Sequence, residues 1–378
     1  MSNIKVNTIN DASGGSNAVL YGVAAPTGSM GFRNRIINGD MRIDQRNAGA
    51  STTASGYIVD RWQTGSIAGA TLTSQQVTDA PAGFTHSFKQ TVTASSVQND
   101  YSVFWQPIEA NNAIDLAWGT SNGQSVTLSF WVKSSMSGQF NGAVIYYGAT
   151  NYYYFPTFTV NAANTWQFIT LNIPAPPTAA GAFPGALNTA YISVRPIGVF
   201  TSGYTGVGAG NTWTTSANYK VAGSVNLAST AGATVQFTGV QFEAGSVATP
   251  FERRPYGTEL ALCQRYYQKS AAQGTKPADG VSGVATNFAA YAASAGWTAD
   301  IPFPVIMRAA PTMTAYDSVG VGSGNWAYYL GGAFVACSST TLSATDRSLQ
   351  VTMQKTTNPW AVSGAYLAAG GYTASAEL

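Results

Sequence analysis

The sequence predicts an all-β protein: a jelly-roll β-sandwich central domain, a second β-rich C-terminal domain, a short connecting helix and an extended N-terminal arm. Three observations carry this. Short stretches alternate with a period of two, as in Ser125–Lys133 (SVTLSFWVK), where Val126, Leu128, Phe130 and Val132 share one face. Turn signals separate such stretches at Ser121-Asn122-Gly123, Ser137-Gly138, Pro174–Pro177 and Ala231-Gly232. The composition is 45% hydrophobic and 12% aromatic but only 9% charged, which favours strands and turns over long helices.

Residues 1–30 read as an arm, because Ile4, Val6 and Ile9 alternate briefly before Gly14-Gly15 and Pro26-Thr27-Gly28 interrupt the pattern. Such a segment is either a loose tail or a piece that orders against another copy or another protein. Residues 31–62 interleave Arg33, Arg35, Arg42, Arg46 and Arg61 with Asp40, Asp44 and Asp60 around an Asn38-Gly39 turn. They read as an extended linker and trimer-contact segment, or equally as an ordinary solvated face.

The jelly roll is placed at 63–252. In Trp166–Ile173 the apolar face is assigned to Trp166, Phe168 and Thr170, and Ala190–Val194 and Thr234–Phe242 repeat the strand pattern. A connector follows at 253–274. It contains a helix at 258–268, with Thr258 as N-cap and Leu260, Cys263 and Tyr267 along one side. Ahead of that helix, Glu252-Arg253-Arg254 is a dense charge cluster in a weakly charged chain, suited to an inter-domain or inter-subunit ion-pair joint. The C-terminal β domain, 275–378, carries candidate strands at Val284–Tyr291, Ala299–Pro304, Pro311–Tyr316, Trp326–Leu330 and Leu349–Gln354. Pro302, Pro304 and Pro311 suggest edge positions or breaks.

Several function classes are disfavoured. With 18 basic and 16 acidic side chains and no basic stripe, nucleic acid is not an expected partner. No stretch has the length of a membrane span and no N-terminal run reads as a signal peptide, so no membrane insertion is expected and synthesis is placed in a cytoplasm. The single histidine, His86, lies in a strand-like run without nucleophile-elbow glycines and reads as structural. Cys263 and Cys337 match no metal spacing and read as reduced thiols. Phosphate loops of either common type are missing. A glycosidase needs only two carboxylates, and Asp60, Asp100, Glu109, Asp115, Glu243 and Glu252 are available without any motif in their spacing. No cofactor is required, and a structural Ca²⁺ held by loop oxygens is left open.

Aromatic residues are the positive signal. Tyr152 and Tyr153 lie in a run of consecutive rings that a strand must divide between its two faces. Trp326, Tyr328 and Tyr329 follow Gly322-Ser323-Gly324, and Trp360 follows Asn358-Pro359. Exposed rings beside Asn, Ser and Thr can stack on sugars, while the same rings can equally fill a core or an interface.

Several segments together resemble tail-fibre and tail-associated adhesion proteins of tailed bacteriophages. They are IKVNTIND (4–11), NRIINGDMRIDQRNAG (34–49), VDRW (59–62), LSFWVKSSMSG (128–138), NTWQFITLNIP (164–174), GVQFEAGSVATPFERRPYGTELALCQRYYQKS (239–270) and FPVIMRAAPTMT (303–314). The resemblance implies a homotrimeric fibre on the virion tail, fixed to another tail protein by its N-terminal arm. The middle domain would be similar to carbohydrate-binding modules. The C-terminal domain would be a tip that touches host polysaccharide or lipopolysaccharide. Combined with the aromatic reading, non-enzymatic glycan contact is expected at Trp326, Tyr328, Tyr329 and Trp360 of that domain and at Tyr152 and Tyr153 of the middle one. Rival readings are a structural connector without a receptor and a polysaccharide depolymerase. The last 60 or so residues match nothing in the family, and parallel β-helix rungs, usual in cleaving spikes, are absent from the sequence pattern.

Overall fold

The computed structural model describes residues 19–20, 23–24, 32–65, 71–281, 283–298, 300–317, 324–330, 332–355, 360–361 and 364–378. The arm expected at 1–30 lies outside them, apart from a hairpin pairing Val19–Leu20 with Val23–Ala24.

The described chain is almost entirely β. Its first unit is an antiparallel sandwich. One sheet has five strands in the order Gln167–Ile173, Val126–Ser134, Thr234–Ala244, Ser87–Ala94 and Thr71–Val77. The facing sheet has eight. Trp213–Thr214, Asn151–Tyr154, Ala143–Tyr147, Ala190–Arg195, Tyr101–Glu109, Trp62–Thr64 and Gly56–Val59 run in order, and Gly198–Phe200 also pairs with Tyr101–Glu109.

The alternation predicted for Val126–Val132 holds: Val126, Leu128, Phe130 and Val132 are buried in the core between the sheets. Phe88 and Phe237 of the five-stranded sheet meet Phe104 and Trp62 of the other, with ring centroids 4.9–5.3 Å apart.

The face assigned to Trp166–Ile173 is reversed. Ile169 pairs with Phe130, Leu171 with Leu128 and Ile173 with Val126, while Phe168 is 46% exposed opposite Trp131. A two-residue period lets only one set face the core. Three aliphatic residues in register with an apolar face prevail over Trp166, Phe168 and Thr170.

The segment 31–62, read as a linker, instead supplies Ile36, Met41, Ile58, Val59 and Trp62 to the sandwich core. Asn38 takes a left-handed conformation, with φ 56°. Its side chain donates to the Ile43 and Asp60 carbonyls at 2.8 and 3.0 Å and accepts from the Ile43 N–H, which closes the turn. Next to it, a Cβ on Gly39 would lie 2.2 Å from the Val240 carbonyl oxygen, so only glycine fits that approach.

The helix spans Tyr256–Gln264, two residues ahead of the predicted start. Pro255 stands at its N-cap and Glu259, not a cap on Thr258, occupies the acidic first-turn position.

The second unit is a ten-stranded sheet built around Ala365–Ser375, which pairs with Val284–Ala292, Ala327–Leu330, Thr312–Tyr316 and Tyr267–Lys269. This strand escaped sequence reading because AYLAAGGYTAS is rich in weak strand formers. Its small residues have a packing reason. The Trp326 indole lies against Gly370, where a Cβ would come within 2.2 Å of the ring.

Candidate functional site

In the eight-stranded sheet, the residues between the core-facing ones form an outward surface. Along Tyr101–Glu109, Phe104 and Ile108 enter the core, so Tyr101, Trp105 and Pro107 take the opposite face. Gln63 pairs with Trp105, and Ser193 with Pro107. Ala143 pairs with Arg195, and Ile145 with both Ser193 and Tyr153. Cross-strand partners share a face, so Gln63, Trp105, Arg195 and Tyr153 belong to one surface spread over five strands.

Tyr219 is brought over this surface by the 201–226 segment, which the buried Asn141 holds. The Asn141 amide donates to the Tyr219 carbonyl at 2.7 Å and accepts from the Val221 N–H at 3.0 Å and the Ser224 hydroxyl at 2.8 Å.

Arg195 sits between two rings. Its guanidinium carbon is 4.8 Å from the Tyr219 centroid and 5.5 Å from that of Trp105. Tyr101 stacks on Tyr219 at 4.9 Å, and Tyr153 meets it edge-on at 6.1 Å. All five side chains are half-buried. Burial, with the neighbouring Tyr219 and Tyr204 phenols, pushes the Tyr101 phenol up, and burial does the same to Tyr153. These rings therefore stay neutral hydroxyl-bearing groups around a cation. Chemically, the surface offers stacking faces, hydroxyl donors and a guanidinium.

The sequence-selected aromatics divide sharply. Tyr153 belongs to this surface, whereas Tyr152 packs against the sandwich core. Trp326 (0% exposed), Tyr328 (3%) and Trp360 (3%) are core side chains of the C-terminal unit and cannot stack on a ligand from outside. Their neighbourhood in sequence is rich in glycine and polar residues, but Tyr328 faces inward from its strand and the two tryptophans pack into the same core. Tyr329 is 45% exposed beside Phe334. Tyr101, Trp105 and Arg195 were not selected, although the alternation in YSVFWQPIE and AYISVR marks them as opposite to the core residues.

The joint cluster acts within the chain. Glu252 accepts from the Arg33 and Asn34 N–H groups, each at 2.7 Å, and lies 3.4 Å from Arg254. Arg254 donates to the Asn34 and Ile36 carbonyls and pairs with Glu259 at 3.3 Å. Arg253 stands apart, exposed, bonded to the Gly83 carbonyl and lying over Phe84 at 4.6 Å.

The ion pairs that tie the sandwich to the C-terminal sheet are elsewhere. Buried Glu109 takes Arg265 and the Tyr266 hydroxyl, both at 2.6 Å. Burial raises its carboxyl, but these bonds outweigh it and hold the group below the usual carboxylate range. Buried Arg61 pairs with Glu377, bonds the Pro107 carbonyl and lies 3.6 Å over Tyr266. Arg46 reaches the same Glu377 at 2.8 Å.

His86 bonds Thr85 through Nδ1 at 2.9 Å. Cys263 and Cys337 are free and buried; burial pushes the Cys337 thiol to about 12 and Cys263 well up. Among the described residues, no group of three His, Cys, Asp or Glu side chains is placed to hold a metal ion, and no helix is long and apolar enough to cross a membrane.

No family model matches the chain. No curated protein matches it significantly. Among solved structures it is similar to the enzymatically active domain of tailspike protein 4 of bacteriophage CBA120, at 16% identity and a TM-score of 0.30. That match covers 56% of this chain and 21% of the tailspike chain, so the chain spans about a fifth of that protein's length. A sugar-binding protein from Bacteroides thetaiotaomicron, described as putative, matches at 11% identity and 0.31, covering 56% of this chain and all of that one. The CBM22-1 xylan-binding domain of Paenibacillus barcinonensis Xyn10C matches at 9% identity and 0.28, covering 53% and 99%. At these scores no function follows from the overlaps.

Proposed function

We propose that this chain is a non-enzymatic adhesion protein of a phage tail that attaches the virion to a host cell-surface glycan. The observation that carries the glycan reading is the half-buried cluster on the outer face of the eight-stranded sheet, where Trp105, Tyr153, Tyr101 and Tyr219 gather around Arg195. Aromatic faces with hydroxyl donors suit sugar rings, whose C–H faces are apolar and whose edges hydrogen-bond. The tail assignment rests on the segments at 34–49, 128–138, 164–174 and 239–270 that resemble tail-fibre proteins. In this reading the protein is a homotrimer, bound to another tail protein through its N-terminal arm. Linked copies convert weak sites into useful avidity.

Binding of the intact chain to a glycan array and to envelopes of a susceptible host tests the reading. Retention by polysaccharide that is lost in Trp105→Ala supports it. No binding to any envelope by a trimeric preparation contradicts it and favours a connector, and release of reducing ends from capsule or lipopolysaccharide would favour a depolymerase. Light scattering tests the trimer directly; a monomer at micromolar concentration rules it out.

A further inference from the structure

We infer that the surface around Arg195 selects an anionic glycan and that Arg195 holds the acidic group of the sugar, a uronate carboxylate or a phosphodiester. The inference rests on the glycan reading above and goes beyond it by naming the ligand's charge.

Most of the other arginines are committed within the chain, although exposed Arg253 also lies over two rings, Phe84 and Phe251, and donates to one carbonyl. Arg35, Arg42, Arg46, Arg61, Arg254 and Arg265 each pair with a carboxylate. Arg308 donates to three backbone carbonyls, of Asn188, Ala376 and Glu377. Arg195 has neither kind of partner. Its Nε lies 3.5 Å from the Ser193 hydroxyl, the limit of a hydrogen bond, and among the described residues no carboxylate comes within ion-pair distance. Asp100, next to Tyr101, turns a carboxylate oxygen onto the Tyr101 N–H at 2.7 Å. Among the described residues, Nη1 and Nη2 therefore form an uncommitted fork.

The rings on either side fix the plane of that fork. Trp105 and Tyr219 hold the guanidinium by cation–π contact, so little side-chain freedom is lost when an anion arrives. A planar fork with two free N–H groups suits the two oxygens of a carboxylate or phosphate, and such charge-assisted pairs are about twice as strong as neutral hydrogen bonds. The Gln63 side chain on the same face, with the neutral phenols of Tyr101 and Tyr153, remains for sugar hydroxyls, while Ser193 is fully buried beneath them. Gln63 also donates to the Tyr57 hydroxyl at 2.8 Å, which orients its amide.

The test is affinity electrophoresis of the full chain in gels containing polygalacturonate, a phosphodiester-linked mannan or neutral dextran, run with wild type, Arg195→Gln, Arg195→Lys and Trp105→Ala. Matching thermal midpoints show that the variants are folded. The expected result is retention by at least one acidic polymer over dextran, weakened by added salt, about tenfold weaker in R195Q and partly restored in R195K. Which acidic gel retains the protein distinguishes carboxylate from phosphate. Equal retention by acidic and neutral polymers, with R195Q unchanged, overturns the inference while leaving the glycan reading intact. No retention in any gel, with folded protein, overturns both.

Discussion

Arg195 and Lys355 occupy the same chemical setting in the two units of the chain, and they differ in one respect. Each cation lies between two aromatic rings, Trp105 and Tyr219 for Arg195, Tyr328 and Trp360 for Lys355, at 4.7–5.5 Å. Arg195 is half-buried on the outer sheet face, whereas Lys355 is only 5% exposed in the C-terminal unit. Burial lowers the Lys355 ammonium. The C-terminal pair thus spends its attraction on packing. The sandwich pair keeps a cation and ring edges available to a ligand. Aromatic content does not mark a binding surface; the face of the sheet on which the rings stand does.

The comparison is broken most directly at Trp326. If the C-terminal aromatics are core, Trp326→Ala leaves a large cavity against Gly370 and costs about 3–5 kcal/mol in urea unfolding. A change near zero would return these rings to the surface.

A smaller effect is expected at Asp60, a charge buried as Lys355 is. Burial pushes its carboxyl up to about 7, although Gln45 donates to it through its backbone N–H at 2.5 Å and its side-chain amide at 2.8 Å. The folded state therefore binds this proton more readily than the unfolded state. The cost of burying the charge is present above pH 7 and is relieved as pH falls towards the unfolded carboxylate value near 4. Asp60→Asn should gain on wild type by on the order of 2 kcal/mol between pH 5 and pH 8. Parallel stability curves would show that Asp60 stays charged throughout.

The smallest stability effect belongs to the half-buried site around Arg195. Trp105→Ala and Arg195→Gln should each change unfolding free energy by about 1 kcal/mol or less, while glycan retention falls. A loss of several kcal/mol in either variant would place that surface in a structural role.

Much of the fold was legible in the sequence. Val126–Val132 shows its face because large aliphatics alternate with polar residues, and Asn38-Gly39 marks its turn. The rest was hidden for physical reasons. Ala365–Ser375 is a central strand made of small residues, because bulky partners such as Trp326 fill the space beside it. In Trp166–Ile173 both faces carry large apolar side chains, so only pairing with Val126–Ser134 decides between them. The site was legible in part: Tyr153 was selected, but Trp105 and Arg195 meet only through the pairing of Ala190–Arg195 with Tyr101–Glu109, and Tyr219 arrives from a distant loop. Charge density at Glu252-Arg253-Arg254 pointed to a joint, whereas Arg61, Glu109, Arg265 and Glu377, which bridge the two units, are scattered along the chain.

The central claim is that ligand meets the outward face of the eight-stranded sheet. Hydrogen exchange by mass spectrometry, with and without a retained polysaccharide, locates the contact directly. The account predicts slowed exchange in 101–109, 143–154, 190–195 and the 215–222 loop, with 284–298 and 327–336 unchanged. Protection confined to the C-terminal segments, with the sandwich unaffected, would contradict it.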